Sequence, residues 1–228
     1  SIITAINNNQ KTSLNKKFTE VFNLAEKISR ETDGAFDITV DPLVNEWGFG
    51  FKKGVDPSKH AIDSLRQIVG YQKVALKDGK IVKQDPRINL DCSGVAKGYG
   101  SDCVANLLRR HGIENFMVEI GGEVVTSGIN PDRVPWRIGV TKPVDDPTLQ
   151  GGELQTVLNV TDKAMATSGN YRNFYYKGGK KYAHTIDPKT GYPVQHNILS
   201  STVVADNCAT ADAYATAFMV MGLEKAKA

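Results

Sequence analysis

Long apolar runs are missing from this chain: no stretch approaches the roughly 20 residues that a bilayer-spanning helix needs. Cysteine is scarce, with three in 228 residues. Cys92, Cys103 and Cys208 show no C-x-x-C spacing, so neither a disulfide framework nor a zinc site is indicated, and all three read as small buried side chains. An excess of one charge sign is also lacking. A net charge of +3, with lysines scattered as in Lys52-Lys53 and Lys180-Lys181, falls short of the basic face that nucleic-acid binding requires, so nucleic acid is not an expected partner. There is no G-x-S-x-G elbow and no Cys/His pair at nucleophile spacing, which disfavours serine or thiol hydrolysis. Internal repeats and low-complexity linkers are absent as well, and a single domain over 1–228 is expected. The polar opening S-I-I-T-A-I-N-N-N is no secretory leader, and G-L-E-K-A-K-A has the look of a helix cut short, so a mature form trimmed at both ends is expected.

What is present is ordinary for a folded domain: 40% hydrophobic and 23% charged residues. Apolar spacing predicts a helix over 13–30 with Ser13 as N-cap, a short helix over 58–69, a helix over 96–110 closed by Gly112, and a last helix from Cys208 to Met221. Alternation predicts strands over 35–40, 116–120, 123–127, 136–140, 154–160, 182–186 and 201–204. V-A-L-K-D-G-K-I-V-K reads as a hairpin turning at Asp78-Gly79, whereas W-G-F-G-F-K-K-G and A-T-S-G-N-Y-R-N-F read as loops. Hairpin-connected strands with a few separate helices predict an α+β fold of mostly antiparallel strands.

The densest special chemistry is D-C-S-G-V-A-K-G-Y-G-S-D (Asp91 to Asp102), with three glycines, a lysine and two aspartates in twelve residues. Read as a strand ending at Asp91 and a helix opening at Lys97, it would aim backbone N–H groups near Gly94 to Gly98 at an anion. It is neither a P-loop nor a Rossmann fingerprint, and glycines that let a helix pack tightly on a sheet explain the spacing equally well. Asp91 favours a ligand: a carboxylate at a phosphate loop repels phosphate unless it binds a ligand hydroxyl or sits near a bridging metal.

Such a metal directs attention to A-T-A-D-A-Y-A-T-A-F-M-V-M (Ala209 to Met221). This helix is small or apolar nearly all round, hence buried, yet Asp212 lies in its middle. Burial of a bare carboxylate costs several kcal/mol unless a cation or donors meet it. Thr216 is one turn along the same face. Two oxygen donors at that spacing suit Mg²⁺, which keeps waters and substrate phosphates as its other ligands. Capping of a neighbouring loop by Asp212 is the competing reading. Among the histidines, His60 and His111 read as structural, and His184 and His196 lie in turn-rich sequence. His184 is a candidate general base because its ordinary pKa is near neutral. Trp47, Phe49 and Tyr171 are aromatic enough to stack on a planar ring, although a core or lid role fits each equally well.

Taken together, the segments G-A-F-D-I-T-V-D-P-L-V-N-E-W-G-F-G, N-L-D-C-S-G-V-A-K-G-Y-G-S-D, E-I-G-G-E-V, A-T-S-G-N-Y, H-T-I-D-P-K-T-G-Y-P and A-D-A-Y-A-T, in this order along the chain, resemble the FAD:protein FMN transferases of the ApbE type. The resemblance implies an α+β fold of the T-fold-like flavin-transferase architecture, FAD in a cleft and Mg²⁺ on its pyrophosphate. It implies cleavage of that pyrophosphate, release of AMP, and attachment of FMN through its phosphate to a threonine or serine of an acceptor protein. Some members of the family instead hydrolyse FAD to FMN and AMP, and a non-catalytic flavin binder is a third reading. By position, the metal falls to Asp212, Thr216 and the Gly94 carbonyl, and the flavin nucleotide to Asp91, Lys97, Ala35, Phe36, Asp37 and Ile186. His184 becomes the proton acceptor. Some members carry a further carboxylate one residue before the threonine, where this chain has Ala215. The resemblance also implies more chain at both ends, with an N-terminal segment that helps line the flavin site. It implies a place outside the cytoplasmic membrane of a bacterium, with an N-terminal lipid tether, and acceptors among the subunits of membrane redox complexes.

Overall fold

The structure, a computed structural model, describes residues 1–50, 56–144, 153–170 and 174–228. Lys52, Lys53 and Tyr171 therefore lie outside the described residues. In chain order the helices are α1 (Ile2–Asn7), α2 (Lys16–Glu31), α3 (Asp41–Glu46), α4 (Lys59–Arg66), α5 (Ser93–Arg110), α6 (Cys208–Met221) and α7 (Leu223–Lys227). The strands are β1 (Val74–Lys77), β2 (Lys80–Lys83), β3 (Phe116–Ile120), β4 (Glu123–Ser127), β5 (Arg137–Thr141), β6 (Leu154–Asn159), β7 (Ala164–Gly169), β8 (Phe174–Lys177), β9 (Lys180–Ala183) and β10 (Ser200–Ala205). Every pairing between these strands is antiparallel and the helices are separate from them, so the fold is α+β as expected. No described helix is long and apolar enough to cross a membrane. The chain divides into two compact units, Ser1–Cys92 with Asn173–His196, and Ser93–Arg172 with Asn197–Ala228.

In the first unit α2 buries Val21, Phe22, Ala25 and Ile28 at helical spacing. Its N-cap is Asn15 and not Ser13: the Asn15 side chain accepts from the Phe18 N–H at 2.9 Å. The strand expected over 35–40 is absent, and a side chain is the reason. Asp37 Oδ1 accepts from the Thr39 N–H at 2.8 Å and from its hydroxyl at 2.7 Å, while Oδ2 accepts from the Tyr71 N–H at 2.8 Å. A carboxylate bonding two residues ahead offers the backbone a turn in place of a ladder. Nor does a strand lead into the glycine-rich stretch. Residues 88–90 are held by side chains instead: Asn7 bonds both the carbonyl and the N–H of Leu90, at 2.9 and 2.8 Å, and Lys83 Nζ donates to Ile88 O at 3.0 Å. The β1–β2 hairpin turns at Asp78 and Gly79 with φ of 48° and 69°, the double left-handed turn that D-G announces. Trp47 is buried beside Leu43, Ile62 and Ile186. Its ring neighbours are Tyr182 and Tyr192, and its Nε1 donates to Gly191 O at 2.7 Å, so its role is in the core.

The second unit is a four-stranded sheet in the order β10-β7-β4-β3, with α5 and α6 packed on it. The inner strand β7 falls where A-T-S-G was expected to be a loop. Its Ala164, Met165 and Ala166 are buried between neighbours on both sides, and small residues with little strand propensity are recruited by that packing. Ala105, Phe116, Val118, Val125, Ala164 and Cys208 form one core, and Val124, Ile138, Val160 and Met165 join the β5–β6 hairpin to the sheet.

Candidate functional site

Helix α5 begins at Ser93, four residues earlier than Lys97, which therefore stands inside the helix and does not open it. The glycines of this segment make a crossing. A Cβ at Gly98 would lie 2.3 Å from the Cys208 carbonyl oxygen and 2.9 Å from Ala209 Cα, so α5 and α6 touch backbone to backbone there. Asp102, one turn on, seals the contact: its two carboxylate oxygens accept from the Cys208 and Ala209 N–H groups at 2.8 Å each, meeting donors that the start of α6 leaves over. Asn207 Oδ1 takes the Thr210 N–H at 2.9 Å.

At the same crossing Asp212, only 4% exposed, accepts from the Gly98 N–H through Oδ2 at 3.0 Å. In a regular helix that N–H belongs to the Gly94 carbonyl, so the backbone of the glycine-rich segment and the carboxylate of the alanine helix meet in one place. The anion-binding N–H expected at Gly98 is thus directed at Asp212. Thr216 lies one turn along α6 with its hydroxyl 3.3 Å from Ser168 on β7. Burial pushes the Asp212 pKa up to about 6; the Gly98 N–H and Lys97 draw it down, and Glu123 raises it. Glu123, at the start of β4, is 2% exposed and pairs with Lys97 Nζ.

In the first unit, the Asp91 N–H donates at 2.7 Å to the carbonyl oxygen of Ile38, the residue that follows Ala35–Asp37. Desolvation raises the Asp37 pKa against its three hydrogen bonds, and since both oxygens already hold the turn, this segment offers a ligand its backbone and not its carboxylate. Ile186 is buried with Leu43 and Trp47 and bridges to Pro193. His184 follows directly on β9, whose last residue is Ala183, so the strand expected over 182–186 stops short of it. Asp187 makes a turn, with Oδ1 accepting from the Lys189 N–H at 2.9 Å. Burial, then the Asp91 charge, pushes the Cys92 thiol up to about 12, and burial raises Cys208 too. Both stay protonated and inert at neutral pH; of the three cysteines expected to be buried, Cys208 is, whereas Cys92 and Cys103 are half-buried.

Part of the expected set comes together within each unit, while His184 and Ile186 lie with the β9 end and the Trp47 core of the first. Lys97, Asp212 and Thr216, with the Gly94 segment, assemble in the second, and Ala35, Phe36, Asp37 and Asp91 in the first. Sequence reasoning missed Asp102, Glu123 and Ser168. The signal for the first two was in the motifs themselves, a carboxylate closing D-C-S-G-V-A-K-G-Y-G-S-D and another following two glycines in E-I-G-G-E.

The ApbE family model matches residues 1–228. The FAD:protein FMN transferase of Vibrio cholerae is 43% identical over 206 residues, covering 90% of this chain and 60% of that protein. The one from Escherichia coli K12 is 39% identical over 207 residues, or 88% of this chain and 58% of that protein. Among solved structures, the flavin transferase ApbE from Vibrio cholerae superposes with a TM-score of 0.83 at 40% identity, over 94% of this chain and 67% of that one. The ApbE protein of Thermotoga maritima MSB8 gives 0.85 at 31% identity, over 97% and 71%. The chain thus spans about three fifths of the length of these two transferases.

Proposed function

The chain belongs to the ApbE family, and from that premise we propose that it carries the flavin-transfer site of an FAD:protein FMN transferase. FAD is the substrate, Mg²⁺ the metal, and a threonine or serine of another protein the acceptor. The observation that supports this most is Asp212: a carboxylate 4% exposed on an alanine-rich helix, with one N–H among the described residues, that of Gly98, on Oδ2. Such a group is costly to keep unless something cationic meets it. The residues fit a hard cation. One carboxylate, the Thr216 hydroxyl and the Gly94 carbonyl are all oxygen donors, and they are too few for an all-protein cage. None of the three is a thiolate or an imidazole, the ligands that suit softer metals. A site of that kind suits Mg²⁺ shared with substrate phosphates. When bound, Mg²⁺ supplies a Lewis acid that offsets the pyrophosphate charge.

In this reading Lys97 adds a second positive charge for the phosphates. The Ala35–Asp37 turn and Asp91 hold the nucleotide, the turn through its backbone. His184 accepts the proton of the acceptor hydroxyl as its oxygen bonds to the FMN-side phosphorus. The bond from that phosphorus to the bridging oxygen breaks, and AMP leaves. The acceptors are subunits of membrane redox complexes. Their side of the membrane is the outer one in a bacterium, where the full-length protein is lipid-tethered.

The deciding experiment mixes the protein with FAD, Mg²⁺ and a threonine-containing acceptor domain, and follows AMP and acceptor mass. An acceptor heavier by one FMN, only with metal, supports transfer. AMP at the same rate without acceptor, and no mass gain, replaces the reading with FAD hydrolysis. His184→Ala is expected to slow transfer by about 10²–10⁴-fold, the range of a lost general base, with FAD binding largely kept. Equal losses in binding and rate would remove His184 from that role.

A further inference from the structure

The E-I-G-G-E segment has no part in the reading above, yet the structure gives it one. Glu123 is 2% exposed at the start of β4, its Oε1 pairs with Lys97 Nζ, and the Lys97 side chain is 51% exposed. Glu123 Oε2 is buried with no hydrogen-bond partner among the described residues. The two glycines before it turn the chain with φ of 63° and 99°. A Cβ at Gly121 would stand 3.3 Å from Lys97 Cδ and 3.5 Å from Glu123 Oε2, so the bare turn gives the lysine stem its path to the carboxylate. Ser101, on the same helix as Lys97, donates its hydroxyl to Glu123 O at 3.0 Å and fixes the backbone end.

Stability does not account for this pair. Burying a carboxylate costs several kcal/mol, and one half-exposed lysine on one of its oxygens returns about 1 kcal/mol or less. What the arrangement does achieve is geometric. A lysine ammonium on a four-carbon stem carries about 2 kcal/mol of rotamer entropy. Tied to a fixed, buried oxygen it keeps two of its three N–H donors for a phosphate outside. We propose that Glu123 is a positioning residue: it holds the Lys97 ammonium in place for the pyrophosphate of the substrate, across the side-chain-free Gly121-Gly122 turn. This rests on the transferase reading for the identity of the ligand, but not for the Lys97–Glu123 coupling itself.

Glu123→Gln keeps the shape and the acceptor but removes the charge, and two arms test it. Without flavin, acylation of Lys97 by acetic anhydride, read by mass spectrometry against the other lysines, should rise several-fold in the variant. With FAD and saturating Mg²⁺, the variant should bind FAD as tightly as the wild type or a few-fold tighter, because a negative charge beside the phosphates is gone, while kcat falls about tenfold. Lys97→Met loses both binding and rate, and at saturating Mg²⁺ the Lys97→Met/Glu123→Gln double variant should match it within about twofold, since Glu123 reaches the phosphates through Lys97 and its charge effect on Asp212 is small beside a bound cation. Glu123→Asp, which draws the oxygens back by one methylene, is also expected to raise Lys97 acylation and serves if the glutamine variant does not fold. Unchanged Lys97 acylation in these variants, or losses that add in the double variant, overturns the proposal. A wild type that binds no FAD defeats the transferase reading instead, and the flavin-free arm still decides this one.

Discussion

Asp212→Asn is expected to lower Mg²⁺-dependent AMP release from FAD by at least about a thousandfold, the loss of roughly 4 kcal/mol of barrier stabilisation, and at the same time to make the metal-free protein more stable at neutral pH. The two effects have one cause. The substituted amide would still accept the Gly98 N–H that Asp212 takes at 3.0 Å, but it offers a cation no charge. The aspartate, in turn, carries its charge at a cost. Burial lifts its pKa from the ordinary 3.8 to about 6, so between these values the folded protein holds a proton that the unfolded chain has released. With the folded state binding more protons, stability falls as pH rises through that window. The penalty is complete above pH about 6 and amounts to about 3 kcal/mol. Urea unfolding in chelator at pH 4 and pH 7.5 measures it. The wild type should lose stability between the two from this group, and the asparagine variant should not. A variant less stable than wild type by the same margin at both pH values would mean that the carboxylate serves the fold and not a metal.

Gly98→Ala should be the most damaging small substitution in the second unit. The added methyl would meet the Cys208 carbonyl oxygen at 2.3 Å, its carbon at 2.6 Å and Ala209 Cα at 2.9 Å, all backbone atoms that no rotamer change can move. Helices α5 and α6 must separate, which weakens the Asp102 bonds to Cys208 and Ala209 and the Gly98–Asp212 bond together. A loss of about 3 kcal/mol is expected, near the upper end for overpacking, or roughly 6–12 °C in Tm for a chain of this size. Gly100→Ala is the control in the same helix. A Cβ there meets only Ile120 Cδ1, at 3.8 Å, and alanine is the better helix former by up to about 1 kcal/mol. If both variants unfold at the wild-type temperature, the close crossing is not what the glycine is for.

Much of this protein was determined by local sequence. The core stripe of α2, the span of α6, the β3 and β4 boundaries and the Asp78-Gly79 turn all follow from periodicity and turn chemistry, which act between residues a few positions apart. The buried aspartate on an alanine helix was legible for the same reason, since the burial around it is written in its own neighbours. The tertiary structure decided the rest. The turn at residues 35–40 starts locally, with Asp37 on Thr39, but its second oxygen is held by Tyr71, more than thirty positions away. β7 is a strand because β4 and β10 flank it, and its alanines would not choose that state alone. Most of all, spacing could not say whether the glycines of Asp91 to Asp102 serve a ligand or a helix crossing. They do the second at Gly98, and by that contact they bring their segment to Asp212, because backbone-to-backbone approach is a property of two helices and neither sequence contains it.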